Sequence, residues 1–246
     1  MQNKSKLFRF RLKNIIFVGM NVSSEIFDFL RDLSQNNNRE WFNTHKARYE
    51  KVKASFERLT EQFIALVAEV DPSVGTLQAK DCIYRIYRDT RFSHDKTPYK
   101  THLCCFVSRG GRKSHLPGYY LQLEPGRSCF GGGVYCLDAV EIKMIRREIC
   151  NFPENLLAAV ENDDFRQRMT MHDGDKLKTF PKGFDTDFEG AEYLKYRYWS
   201  SYVEYTDEQC QADDFGDVVR QDLRLAYPLN RFLLEAMEAP EEEVDF

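Results

Sequence analysis

The chain has 246 residues, of which 42% are hydrophobic, 14% aromatic and 30% charged, with a formal net charge of −4. A globule of this length buries roughly 70 to 75% of the surface its unfolded chain exposes, so it can build a core without disulfide or metal staples. The aromatic content excludes intrinsic disorder, and no apolar run approaches the about 18 residues that a membrane-spanning helix requires.

Residues 1–19 carry Lys4, Lys6, Arg9, Arg11 and Lys13 and no acidic residue. The apolar run at 15–18 is too short for a secretory signal. Met20 then opens Asn21-Val22-Ser23-Ser24-Glu25, which reads as an ordinary protein start leading into a capped helix. The expectation is translation from Met20 with 1–19 as a basic extension; a basic arm touching a membrane or nucleic acid is the competing reading. From 24 to 33 the apolar positions suit a short helix, ended by Asn36-Asn37-Asn38. A longer helix or helix pair follows, with Phe42, His45, Tyr49, Val52, Phe56, Leu59, Phe63 and Val70 recurring every three to four residues until Asp71-Pro72.

After Gly75 the pattern changes to short β-branched and aromatic runs at 82–88, 102–108, 118–123 and 129–135, which predict a mainly antiparallel sheet. Hairpin breaks fall at Arg109-Gly110-Gly111-Arg112 and Glu124-Pro125-Gly126-Arg127. Helices are expected at 138–149, with Asp138 as cap, and at 153–160. A loop-rich stretch through Gly174, Pro181-Lys182-Gly183 and Gly190 follows. One more strand at 198–205 precedes a final helix from about 214 to 237, which Pro228 should kink or divide. Helices, then a sheet, then helices is the pattern of an α+β domain, with a central sheet of about four to five strands packed by N-terminal and C-terminal helices. One domain spans 20–238, and 239–246 form an acidic tail.

Charge locates the most informative segment. Residues 80–113 hold nine basic and three acidic residues, a surplus of six in an acidic chain. Concentrated arginine attracts phosphate or carboxylate, because the guanidinium makes two parallel charged hydrogen bonds and keeps its proton. Within this window Tyr87-Arg88-Asp89-Thr90-Arg91-Phe92-Ser93-His94-Asp95-Lys96-Thr97-Pro98-Tyr99-Lys100-Thr101 is almost wholly polar and lies between two predicted strands, where binding residues tend to be mounted. If 82–88 is extended, Tyr84, Ile86 and Arg88 share one face and Arg85 and Tyr87 the other. Arg88, Arg91, Lys96 and Lys100 are the candidate anion contacts, Tyr99 a candidate to orient the ligand, and Asp89 and Asp95 the candidate acid/base groups. The bland reading makes those two carboxylates partners that hold the arginines. Gly131-Gly132-Gly133 would let backbone N–H groups approach an anion, and Gly132 is the candidate contact; a bulge or a close backbone crossing explains such glycines as well.

Other chemistries find no support. There is no P-loop, no dinucleotide fingerprint and no serine on a nucleophile elbow. The seven cysteines form an odd set without a Cys-x-x-Cys pair, and the five histidines are scattered. No sequence-local metal site and no cofactor is expected, and the cysteine usage favours a reducing cytosol. Adjacent Cys104 and Cys105 should face opposite sides of a strand as packing residues.

The segments Asn37-Asn38-Arg39-Glu40-Trp41-Phe42, 84–93 and 95–101, followed by Gly118-Tyr119-Tyr120, Gly131-Gly132-Gly133 and Pro181-Lys182-Gly183-Phe184, resemble in the same order a widespread family of uncharacterised proteins, known mainly from bacteria and fungi as a domain of unknown function. The resemblance spans roughly 24–237. It implies one α+β domain and a cytosolic location, and it carries no activity. A His-Pro pair that the family tends to have after the Pro-Lys-Gly-Phe turn is replaced here by Asp187-Phe188-Glu189.

The leading expectation is a single domain, an enzyme or a binding protein, that binds a phosphorylated or carboxylated small molecule over its sheet. Two others stand beside it. Tyr84, Tyr87, Phe92 and Tyr99 interleave with cations as on single-strand nucleic-acid surfaces, against which an isoelectric point near 5.8 argues. In the third, the central motif is a salt-bridge network of a protein-interaction domain.

Overall fold

The computed structural model describes residues 19–238, so the basic extension and the acidic tail lie almost wholly outside the described residues. The N-terminal helices are α1 (Ser24–Gln35), α2 (Arg39–Thr44) and α3 (Lys46–Val70). Ser23 caps α1 by accepting from the Glu25 amide, and Asn38 caps α2 by accepting from that of Trp41. The expected pair is thus two helices parted at His45, whose ring stacks on Trp41 at 4.1 Å. The stripe Val52, Phe56, Leu59, Phe63 and Val67 of α3 is buried.

Five antiparallel strands form one sheet: β1 (Leu103–Ser108), β2 (Gly118–Leu123), β3 (Ser128–Gly133), β4 (Thr170–Met171) and β5 (Ser200–Tyr205), in the order β1-β2-β3-β5-β4. The fold is α+β. Side chains alternate across a strand, and the register makes one face continuous: Cys105 opposes Leu121, Leu121 opposes Phe130, and Phe130 opposes Val203. All four are buried. On this face Phe63 of α3 meets Phe130 edge-on at 6.3 Å, and the Asn230 side chain of the C-terminal helix donates to the Gly118 carbonyl at 2.9 Å.

That helix, α9 (Phe215–Glu238), completes a series that runs from α4 (Ala79–Cys82) through α5 (Ala139–Asn151), α6 (Pro153–Val160), α7 (Asp163–Arg168) and α8 (Asp207–Gln211). Asp138 forms a full capping box with Glu141 at the start of α5.

Three expectations need correction. Pro228 does not divide the last helix, which runs through it. Pro228 and Arg224, whose carbonyl loses its amide partner, are both exposed, so water can satisfy the freed group. Nor is 82–88 a strand. After the single turn α4, the chain touches β1 at the isolated pair Ile83 and Cys105 and then leaves the sheet. Of the expected sharing of faces, Arg85 and Tyr87 are exposed and Ile86 is buried, while Tyr84 and Arg88, only partly buried, do not join Ile86 in the core. Finally, the loop-rich stretch contains the two-residue strand β4, too short to carry an alternation signal.

Candidate functional site

The central motif is a narrow arm closed on itself. Tyr87 pairs with Tyr99, the Arg88 amide donates to the Pro98 carbonyl at 2.9 Å, and the Lys100 amide donates to that of Ile86 at 2.8 Å. Its root is fixed from a distant part of the chain. The Asn37 side chain donates to the Tyr99 carbonyl at 2.9 Å and accepts from the Tyr99 amide at 3.1 Å, in the manner of a neighbouring strand. The Tyr99 ring lies on that of Phe42, with centroids 4.0 Å apart and planes 13° apart. The Asn37–Phe42 segment and the arm are therefore one unit.

Within the loop at 89–97, the Arg88 guanidinium donates to Asp95, to the hydroxyl and carbonyl of Thr97, and to Ser93. Asp95 in turn accepts from the Thr97 amide at 2.9 Å and hydroxyl at 3.0 Å. Arg91 grips Asp89 through two parallel bonds of 3.0 and 2.7 Å, and Lys96 donates to the Thr90 carbonyl at 2.9 Å. Phe92 projects from this braced loop 94% exposed.

The sequence-derived candidates thus fall into separate places. Arg88 is turned into the loop, while Arg91 and Lys96 lie on its surface. Tyr99 is buried against Phe42. Gly132 is buried beneath α9, where an added Cβ would stand 2.7 Å from that of Ala226; this is the close crossing that sequence reasoning weighed against an anion contact. Among the described residues Arg109 pairs with Glu238, and the other six cations of the basic window, Lys80, Arg85, Lys96, Lys100, Arg112 and Lys113, enter no ion pair.

Lys100 joins the arm to the second face of the sheet. Its ammonium lies 5.3 Å from the ring centre of Tyr84, whose hydroxyl donates to the Arg112 carbonyl at 3.3 Å. On this face, the counterpart of the buried one, the side chains of Tyr120, Gln122, Cys129 and Tyr202 stay partly exposed. Tyr120 donates to Gln122 Oε1 at 2.7 Å, Gln122 donates to Glu124 Oε2 at 3.0 Å, and Thr101 donates to Glu124 Oε1 at 2.7 Å. His102 Nδ1 stands 4.0 Å from the same carboxylate. This array was missed in the sequence, although its signal is there: Tyr120, Gln122 and Glu124 alternate with the apolar Tyr119, Leu121 and Leu123, the mark of a polar sheet face.

Burial, joined by the Lys100 and Arg127 charges, pulls the His102 pKa down against the pull of Glu124. Burial pushes the Cys129 thiol up to about 11. It raises Tyr120 as well, so these groups are neutral at physiological pH.

The motif carboxylates move the other way. Asp89 is lowered to about 2 by its hydrogen bonds from Arg91, and Asp95 to about 2 by those from the Thr97 amide and Arg88. A depressed carboxylate contributes above its unfolded value of 3.8 and loses that contribution as pH falls through its folded value. The loop should therefore hold its shape at pH 4 and loosen toward pH 2. Carboxyl NMR titration is expected to place both midpoints near 2; midpoints at ordinary aspartate values would show that the Arg88 and Arg91 contacts do not form in solution.

No group of three or more metal-ligating side chains occurs among the described residues, and no helix among them is long and apolar enough to cross a membrane. Architecture and site together define a two-layer α+β domain whose clamped arm delivers Lys100, Thr101 and His102 to a polar sheet face. The chain belongs to the conserved hypothetical protein family DUF2461, whose model matches residues 25–232. No curated protein and no solved structure matches it.

Proposed function

We propose that the chain is a cytosolic domain that binds a phosphorylated or carboxylated small molecule on the polar face of its sheet. Lys100 and Arg127 contact the anion, and Arg85 and Lys96 extend the positive surface along the arm, with Arg91 held by Asp89. Arg88 keeps the shape of the arm, with Asp89 and Asp95 as partners of its arginines. Tyr99 and Gly132 support the site from the core.

The observation that carries this reading is the environment of His102. Two cations that enter no ion pair among the described residues, Lys100 and Arg127, both oppose protonation of this half-buried imidazole, whose Nδ1 lies 4.0 Å from the Glu124 carboxylate. An anion arriving there meets two cations against the one carboxylate of Glu124, and the partly buried setting strengthens the attraction relative to open solvent. The salt-bridge-network reading accounts for Arg88 and its loop but not for Lys100, which enters no ion pair among the described residues.

A thermal-shift series with inorganic phosphate, sugar phosphates and dicarboxylates tests the proposal. A ligand at about 100 times its Kd stabilises by roughly 2.7 kcal/mol, which raises the midpoint of a domain this size by roughly 5 to 10 °C. The expected result is such a shift in the native protein and its loss in Lys100→Ala. An unchanged shift in that variant, or no shift with any anion, overturns the reading.

A further inference from the structure

The basic window closes on a strip of cations. Gly110 and Gly111, at φ 92° and 77°, turn the chain after β1, and the Ser114 amide donates to the Gly111 carbonyl at 3.0 Å, so Arg109, Arg112 and Lys113 stand on one tight turn. Arg112 Nη1 donates to the Lys80 carbonyl at 2.6 Å, which sets α4 beside that turn. The Arg112 carbonyl accepts from the hydroxyl of Tyr84, and the Lys100 ammonium lies 5.3 Å from the centre of the same ring. Lys80, Arg112, Lys113 and Lys100 enter no ion pair among the described residues, and the exposed Asp81 of α4 supplies one opposing charge.

Helix α9 ends against this strip. Glu238, the last described residue, pairs with Arg109. The sequence continues Ala239-Pro240-Glu241-Glu242-Glu243-Val244-Asp245-Phe246, with four carboxylates and no cation. Backbone spans at most about 3.6 Å per residue, so Glu243, five residues on, reaches up to roughly 18 Å from Glu238. By the same measure Lys113 lies at most roughly 14 Å along the chain from Arg109, and Lys100 is one tyrosine ring beyond Arg112. A segment tethered so close has an effective concentration in the millimolar range, which places it on the strip ahead of a more dilute free anion.

We infer that this strip is a docking surface for the chain's own acidic segment 241–245, which meets Lys80, Arg112 and Lys113 and competes with the anion for Lys100. Four carboxylates whose tether is fixed at Arg109 face four cations that lack a counter-ion among the described residues. That complementarity, and the place where α9 ends, commit the surface to this occupant. The docking stands on those two observations. The competition rests on the anion-binding reading above and supplies its regulation, so the two are separable by experiment.

Carbodiimide coupling joins a carboxylate to a lysine amine only where the two touch, and with mass spectrometry it reads the docking in the full chain. The expected result is amide links from 241–243 to Lys80, Lys113 or Lys100, which fade as added salt shortens the reach of the attraction. Links confined to Lys4, Lys6 and Lys13 of the basic extension, links only between two copies, or none, overturn the docking. Titration calorimetry with inorganic phosphate reads the competition. Glu241→Gln, Glu242→Gln, Glu243→Gln and Asp245→Asn combined should tighten binding about tenfold, the gain expected when the segment covers the strip about nine-tenths of the time. Asp173→Asn, Asp187→Asn, Glu189→Gln and Glu208→Gln combined are the control for net charge, since these carboxylates are exposed and enter no ion pair among the described residues; they should move the affinity by no more than about twofold. Equal gains in the two neutralised chains, or no gain in either, overturn the competition. Absence of phosphate binding in every chain overturns the anion reading instead, and the coupling result then decides the docking alone.

Discussion

Replacing Arg168 by alanine is expected to lower stability by about 3–5 kcal/mol, because it leaves a buried carboxylate without its counter-ion. Asp222 lies in the middle of α9 and is 1% exposed. It accepts from Arg168 Nε at 2.7 Å, from the second guanidinium nitrogen at 2.8 Å, and from the Tyr205 hydroxyl at 2.7 Å. One carboxylate thus ties the end of α7 and the end of β5 to α9. Without the arginine it keeps a single neutral donor, the Tyr205 hydroxyl. The opposite deletion is milder. In Asp222→Asn the unpaired charge is Arg168, whose side chain is 34% exposed and can turn to solvent. Arg168→Lys keeps the charge and loses the two-pronged geometry, so it should fall between native and Arg168→Ala. Urea unfolding checks the order: Arg168→Ala should have the lowest midpoint, at an unchanged slope. A loss below about 1 kcal/mol would mean that the carboxylate finds another partner or takes up a proton.

This triad illustrates what the sequence could and could not disclose. Asp222 falls among apolar residues of an amphipathic helix, and Arg168 ends a six-residue helix within a stretch that reads as loop. Nothing local links them, because the partners are 54 positions apart. The same holds for Asn37 and Tyr99, 62 positions apart: each motif is legible, but not that one clamps the other. Features with a period were legible. The buried stripe of α3, the strand β2 and the Asp138 cap of α5 all follow from rules that act within a few residues. The run at 82–88 has the alternation of a strand and lacks the strand, since alternation records which side faces solvent and not whether a neighbour pairs along its length. The three glycines are a similar case. Gly132 admits α9 and Gly131 leaves the opposite face bare, and only the register between β2, β3 and β5 distinguishes the two roles.

The arm provides the second large effect. Phe42→Ala should cost about 3–5 kcal/mol, the range for deleting a buried phenylalanine when the cavity cannot collapse. Phe42 is 2% exposed and is the hub of an aromatic cluster, with ring centres 4.0 Å from Tyr99, 4.9 Å from Tyr49 and 6.4 Å from Phe29. Helix α2, which carries it, has only six residues, too few to be stable without tertiary contacts. Its loss therefore loosens Tyr99 as well, leaving the Asn37 side chain and the pairing with Tyr87 to hold that residue. Limited proteolysis should then cut within 89–97 faster in Phe42→Ala than in the native chain. Phe92→Ala is the contrast. It removes a ring of the same size from a side chain that is 94% exposed, so stability should change by no more than about 0.5 kcal/mol. Equal losses in the two variants would mean that Phe92 is covered in solution. Because the Lys100 amide is the next link in the chain after Tyr99, Phe42→Ala should also weaken anion binding without touching the anion, and Phe42→Leu, which refills most of the cavity, should restore part of both properties.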